Sequence, residues 1–249
     1  MLRITNLTAS VKGKRIIKRI SLRTQKGKAT LLLGPNGSGK STLLYAILGY
    51  PIVKVVEGAI LLDGSEIIDL PMEERVEKGL ALAFQNPPKI KGVRLREILY
   101  RVGESSGLSR QELKELAERL KMTSFLDRYL FDGFSGGEVK RAELLLTLAQ
   151  KPKVLLLDEP DSGVDVESIG IVGQAIEDAV SEGSSALIVT HSGLISKYVL
   201  AEDAYVLLNG TIGCHGPAEE IVSTIFKMGF KKCVECFSFR IRGGVNEFR

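Results

Sequence analysis

Residues 34–42 read Gly-Pro-Asn-Gly-Ser-Gly-Lys-Ser-Thr, a G-x-x-x-x-G-K-[ST] string with Gly34, Gly39, Lys40 and Ser41 in its fixed places. No other feature of the chain limits its fold as sharply. Glycines at this spacing let successive backbone N–H groups turn inward as a cradle for phosphate oxygens, and the cradle works only between a buried strand and a helix whose positive end faces it. The flanks agree: 29–33 is a continuous apolar run of the buried parallel-strand kind, and 40–48 reads as a helix. Pro35, Asn36, Gly37, Ser38 and Thr42 complete the loop. Lys40 supplies a mobile charge for terminal phosphates, and the Ser41 hydroxyl is of the type that ligates Mg²⁺.

The rest of the chain supplies the layers such a loop requires. Residues 15–23 mix apolar and basic side chains at near-alternating spacing, 59–62 read as a strand closed by an Asp63-Gly64 turn, and 80–84 as another buried strand. From 87 to 132 charged amphipathic helices take over, and Ser109-x-x-Glu112 has the form of a capping box. Strand and helix then alternate, with helix 135–149, strand 154–157, helix 168–182 and strand 186–190, which predicts a parallel sheet covered on both faces. Segments 204–208 and 211–214 flank Asn209-Gly210, a two-residue hairpin turn, and a last helix follows Pro217. With 249 residues, 44% of them hydrophobic, the chain can bury a sizeable core, so disordered and fibrous classes are excluded.

A metal-bound triphosphate needs a second metal anchor and a group that orients water. The run 154–157 leads straight into Asp158-Glu159, which places two acids at the carboxyl end of a buried strand, where open α/β sheets bind their ligands. Asp158 is the candidate Mg²⁺ partner and Glu159 the candidate general base. Gln85 and His191 end the strands 80–84 and 186–190 and so belong on the same rim. There Gln85 is suited to ligating Mg²⁺ and positioning water, and His191 to hydrogen-bonding a γ-phosphate. Residues 1–56 hold eleven Lys or Arg and no Asp or Glu, within a chain of formal charge +4. Such a basic quarter suits a nucleoside triphosphate or nucleic acid, and the scarcity of aromatic platforms favours the former.

Asp132-Gly-Phe-Ser135-Gly136-Gly137-Glu138 opens the helix leading to the Asp158 strand, and it closely resembles the signature sequence of ATP-binding cassette (ABC) ATPases. The order of the other elements matches that family over about residues 1–225: a Walker A loop at 34–42, a Q-loop at Gln85, Walker B at 154–159, a D-loop from Ser162 to Asp165 and a switch histidine at His191. The resemblance implies an α/β fold, a P-loop NTPase with a RecA-like core sheet, an N-terminal antiparallel β subdomain and a helical subdomain insertion. It implies one ABC ATPase domain over 1–249, with 1–86 and 138–225 as the ATP-binding core, 87–137 as the helical subdomain and 226–249 as a tail. ATP and Mg²⁺ are the implied ligands. It further implies a split site, in which Ser135, Gly136, Gly137 and Glu138 meet the nucleotide on a second copy, so that ATP joins two head-to-tail cassettes and hydrolysis parts them. In transporters of the family an aromatic near residue 11 stacks on adenine. Here Val11 stands at that place, which implies modest base discrimination.

Within the family, several details look most like the cytosolic ATPase of the SUF iron–sulfur cluster assembly system: the run from Leu82 to Gln85 followed by Pro87, the run from Ile90 to Val93, Phe134 before the signature serine and Glu138 at its end with Lys140 and Arg141 after it, and Gly163 in the D-loop. The implied partners are SUF scaffold proteins of the SufB and SufD kind, docking between Gln85 and Val93 and on the helical subdomain. Pro160 and Val164 depart from that pattern, and Pro160 is commoner in transporter cassettes, so the nucleotide-binding subunit of an ABC membrane transporter is the alternative. A nucleotide- or metal-binding regulatory module that scarcely turns over is a third reading, and the presence of Glu159 and His191 weighs against it.

Three cysteines make a disulfide framework a poor fit and a reducing compartment a better one. Cys233-x-x-Cys236, with Cys214-His215 upstream, has some ligand types of a metal site but needs further ligands brought to it. No apolar run reaches the roughly 18 to 20 residues that span a bilayer, and Arg3 and polar residues occupy the place of a signal peptide's apolar stretch. The expectation is a cytoplasmic protein.

Overall fold

The computed structural model describes residues 1–88 and 90–243. The chain begins with an antiparallel hairpin, β1 (Leu2–Val11) and β2 (Lys14–Arg23), and then crosses to β3 (Ala29–Leu33), the phosphate loop and α1 (Lys40–Leu48). It returns as β4 (Val53–Leu62) and β5 (Ser65–Glu66), and continues through α2 (Met72–Glu77) to β6 (Leu80–Ala83). The inserted segment holds α3 (Leu95–Ser105) and α4 (Arg110–Arg119), the latter opened by the capping box expected at Ser109 and Glu112. After it come α5 (Gly136–Leu148), β7 (Val154–Asp158), α6 (Val166–Ser181), β8 (Ser185–Thr190), β9 (Ala201–Leu208), β10 (Thr211–Pro217) and α7 (Ala218–Gly243). The last comprises two helical stretches, because Gly229 leaves helical geometry at φ 77° and ψ 171°.

Two sheets result. One is antiparallel in the order β2-β1-β4-β5, and the other runs β10-β9-β3-β8-β7-β6, parallel from β9 to β6 with β10 antiparallel at the edge. Period-two alternation assigns the faces of the second sheet. Leu31, Leu33, Leu155, Leu157 and Ile188 point into a core shared with α3 to α6, while Leu32, Leu156, Leu187 and Val189 point into one shared with α1 and the antiparallel sheet. The helical insertion therefore shares its apolar interior with the sheet through Leu95, Leu99, Leu113 and Leu116.

Sequence expectation and structure differ at two places and agree at a third. β4 begins at Val53 instead of 59, because its first half pairs along β1 while its side chains stay largely exposed and leave no apolar signal. The short α2 has no counterpart in the sequence reading. The hairpin at Asn209-Gly210 is present, with φ 49° and 82° at its two residues, and its Gly210 N–H donates to Ser38 O of the phosphate loop. Gly210 must be glycine for a second reason: an added Cβ would lie 2.0 Å from Ile16 O.

Candidate active site

The carboxyl ends of β3, β6, β7 and β8 bring the phosphate loop, Gln85, Asp158, Glu159 and His191 to one rim, as the strand order requires. The loop is built by close approach. Gly34 admits Leu207 O to a point 2.4 Å from where a Cβ would sit, and Gly37 and Gly39 take φ of 77° and 109°. Gly39 also lies under Ile16 and Ile17, whose side chains would stand 3.3 and 2.9 Å from an added Cβ. Thus β2 roofs the loop. Val11, half-buried at the end of β1, pairs with Lys14 and Val53, and Ile16 is the apolar side chain that sequence reasoning missed beside the loop.

Lys40 is 5% exposed, and its Nζ donates to Gly34 O at 2.9 Å and Pro35 O at 3.1 Å, with Glu159 Oε1 3.6 Å away. Burial holds its pKa below the usual lysine range, against the opposing pull of Glu159. Ser41 Oγ donates to Asp158 Oδ1 at 3.1 Å. Burial pushes the Asp158 carboxyl up, and the Ser41 bond pulls it back. Asp158 Oδ2 and Ser38 Oγ are buried with no hydrogen-bond partner in the fold, an unusual cost unless a ligand is meant to meet them. Two oxygens of Asp158 and the Ser41 hydroxyl are hard oxygen donors of the kind Mg²⁺ takes, and the orphaned Oδ2 makes the residues present a fit for it; the Gln85 side chain, expected as a further ligand, bonds to Glu159.

Glu159 is where the rim converges. Gln85 Nε2 donates to its Oε2 at 2.6 Å, Lys40 stands off its Oε1, and His191 Nδ1 lies 3.1 Å from the same oxygen without hydrogen-bond alignment. Its φ is 51°, the left-handed region that a side chain enters only under constraint, and its N–H is held by Val189 O. Two residues of α5 that sequence reasoning passed over fix the Q-loop backbone: Glu143 accepts from Phe84 N at 3.0 Å, and Lys140 donates to Gln85 O at 2.8 Å. Both are buried, which pushes Glu143 up to about 7 and Lys140 down from its usual range. Two charged residues inside an otherwise apolar helix face were the available signal. Asp161, also buried, accepts from Thr190 Oγ1 and Ser192 Oγ at 2.7 and 2.6 Å, and so ties the start of the D-loop to the loop carrying His191.

The signature residues stand elsewhere. Ser135 caps α5 in a closed box, its N–H donating to Glu138 Oε2 and its Oγ accepting from Glu138 N. Gly136 and Gly137 are required by the D-loop and the first turn of α6 in the same chain: added Cβ atoms would lie 2.3 Å from Gly163 O and 2.2 Å from Ser168 Oγ. Asp165, expected as a D-loop contact, is the N-cap of α6, accepting from Ser168 N and Oγ at 2.8 Å each, while the Ser162 N–H donates to Glu159 O. Of the candidate metal ligands near the C-terminus, Cys214 and Cys233 do meet, Sγ to Sγ 4.0 Å, both buried. The side chain of Cys236 lies outside the described residues, His215 stacks on Tyr205, and among the described residues no group of three His, Cys, Asp or Glu is placed to hold a metal ion. Nor, among them, is any helix long and apolar enough to cross a membrane.

A phosphate loop joined to an Asp-Glu strand end across a parallel sheet defines a P-loop nucleoside triphosphatase. A family model described as ABC transporter matches residues 17–162. The chain belongs to the ATP-binding cassette family, and its domain is an ABC-type ATPase. It is 37% identical over 229 residues to a probable ABC transporter ATP-binding protein of Streptococcus pyogenes serotype M3, covering 88% of this chain and 89% of the relative. It is 36% identical over 228 residues to vegetative protein 296 of Bacillus subtilis, covering 88% and 87%. Among solved structures, the ADP conformation of an ATP-binding cassette of an ABC transporter superposes with a TM-score of 0.77 at 28% identity, over 94% of this chain and 97% of that one.

Proposed function

We propose that this cassette hydrolyses ATP as one half of a head-to-tail pair and thereby moves a soluble iron–sulfur cluster assembly scaffold of the SUF type in the cytoplasm. One observation carries the pairing. Ser135 and Gly136 are exposed at a helix N-terminus, a built anion site, yet their hydrogen bonds remain within the Ser135–Glu138 box and their packing within the D-loop. A phosphate brought to Ser135 by a second copy completes the site.

In the loaded site the Lys40 amine leaves the Gly34 and Pro35 carbonyls for the β- and γ-phosphate oxygens. Ser41 and Asp158 would hold Mg²⁺, which neutralises phosphate charge. Glu159, released from Lys40, accepts a proton from the attacking water as its oxygen bonds to the γ-phosphorus and the bond to the bridging oxygen breaks, leaving ADP. His191 and Gln85, already on Glu159, keep it aimed. Loss of the γ-phosphate then removes the charge that Ser135 holds, and the pair separates.

The scaffold assignment rests on the SUF-like residues around the signature and Q-loop, Phe134, Glu138 and Gly163 among them. The Streptococcus relatives, described as probable ABC transporter ATP-binding proteins, favour the second reading, a transporter subunit. A tagged pull-down from native lysate, split into soluble and membrane fractions, separates the two. Soluble partners that carry iron and sulfide, of the SufB and SufD kind, support the scaffold; an integral membrane partner overturns it. Pairing is tested with Glu159→Gln, which is expected to sediment as a dimer with ATP and Mg²⁺ and as a monomer without them.

A further inference from the structure

The turn that presents Ser135 has no helix or strand of its own to fix it. Residues 132–134 form a short loop in which Gly133 takes φ 65°, and its carbonyl accepts from Arg128 Nη2 at 2.9 Å, with Asp132 O 3.4 Å from the same nitrogen. The Arg128 guanidinium carbon stands 4.8 Å from the centre of the Phe134 ring and 5.0 Å from that of Phe125. Those two rings meet edge to face at 5.2 Å, and Phe131 closes on Phe134 from another side at 6.4 Å. One planar cation therefore fixes both the backbone just before the signature serine and the side chain adjoining it.

The backbone of the Arg128 segment is stitched to the other functional loop. Arg128 O accepts from Leu95 N at 3.0 Å, Leu126 O accepts from Arg96 N at 2.9 Å, and Leu130 N donates to Val93 O at 2.9 Å. Val93 to Arg96 is the stretch leading from the Gln85 segment into α3. Three hydrogen bonds thus tie residues 126–130 to this stretch, and the guanidinium ties them to the 132–134 turn.

We propose that Arg128 is a positioning residue for the ATPase: it holds Ser135 where the second copy's nucleotide must meet it. This rests on the split-site reading above. Arg128 is itself exposed, so its contacts add little to stability. A role in assembling the paired site predicts a much larger effect on pairing than on folding. Lysine cannot replace it, since a point ammonium lacks the rigid fork of donors that reaches the Gly133 carbonyl while its delocalised charge lies against the Phe134 and Phe125 rings.

The test uses Glu159→Gln as the background in which pairs accumulate. Arg128→Lys and Arg128→Ala are added to it, with Ser135→Arg as a control for the split site. For each, binding of a fluorescent ATP analogue to dilute monomer and the ATP-dependent dimerisation constant by sedimentation are measured, together with the melting temperature. The expected result is monomer affinity within about twofold of the parent, dimerisation weakened tenfold or more by both Arg128 substitutions, and recovery of the alanine variant on adding methylguanidinium. If both Arg128 variants pair as the parent does while Ser135→Arg does not, the positioning role is wrong and the split site stands. If pairing falls only in step with ATP affinity or melting temperature, Arg128 is merely structural. If the background never pairs, or Ser135→Arg pairs unchanged, the split-site reading fails and the role of Arg128 fails with it.

Discussion

Glu159 at φ 51° stores strain on the order of 1–3 kcal/mol at the residue proposed to activate water, and the surrounding Lys40, Gln85 and His191 hold it there. Replacing it with Gln keeps its shape and removes its basicity. ATP turnover is expected to drop roughly 10²- to 10⁴-fold with ATP affinity retained, as read by phosphate release against nucleotide binding. Glu143 carries a pH signature of its own. Its pKa is pushed from 4.5 to about 7 by burial, against the pull of the Phe84 N–H and Lys140. The folded state thus holds a proton that the unfolded chain has released, so this contribution to stability is complete below about pH 4.5 and is lost as pH rises through 7. Glu143→Gln, which can still accept from Phe84, should flatten the stability difference between pH 5 and pH 8 by on the order of 2–3 kcal/mol in urea titrations. An unchanged profile would put the titration elsewhere. Cys214 gives a third reading at this scale. Burial pushes its thiol up to about 12, so mass spectrometry after alkylation at pH 8 should find it unlabelled in the native chain and labelled in urea.

At the scale of elements, α1 depends on a residue far from the loop it serves. The Arg75 guanidinium, 3% exposed, donates to Ala46 O and Ile47 O at the end of α1 and to Ile68 O and Leu70 O beyond it. Ala46 O also accepts from the Gly49 N–H, and Ile47 O lies in the last turn of α1, where a helix leaves its carbonyls without i+4 partners. Arg75→Met fills the space but provides no donor. A loss of about 3 kcal/mol is expected in chemical unfolding, together with weaker ATP binding, since α1 carries Lys40 and Ser41. None of this was legible from the sequence, where Arg75 is one charge among several in a Glu-rich stretch. Elements with long apolar runs, such as α1, α5, β7 and β8, were legible to within a residue or two, because most of each is buried. The exposed first half of β4 and the six-residue α2 were not, because neither buries enough to leave a pattern.

For the whole molecule, the central sheet is the common wall of both apolar cores, and the antiparallel sheet and the helical insertion each lean on one face of it. Neither side retains a buried face without the other. Thermal unfolding should therefore be one transition, with tyrosine fluorescence from the Tyr45 and Tyr50 side coinciding with far-ultraviolet circular dichroism, and two separated transitions would show that the cores fold independently. ATP with Mg²⁺ should raise the midpoint of that single transition, because the loop that binds it is braced by both layers through Gly39 and Gly210.

What the sequence determined alone was the loop and its setting: a glycine spacing that only a strand-to-helix turn can use, and acids and amides that can only emerge at the carboxyl ends of neighbouring strands. These are local rules, set by backbone geometry and period-two burial, and they placed Lys40, Ser41, Gln85, Asp158, Glu159 and His191 on one rim. The tertiary structure decided which of them touch. That Glu159 gathers three partners, that Gly136 and Gly137 answer to Gly163 and Ser168, and that Arg128 reaches back to the signature turn all depend on packing between segments dozens of residues apart or on loops of irregular conformation. No periodicity encodes such contacts, because they are fixed by the shapes of side chains meeting across the fold and not by the pattern along it.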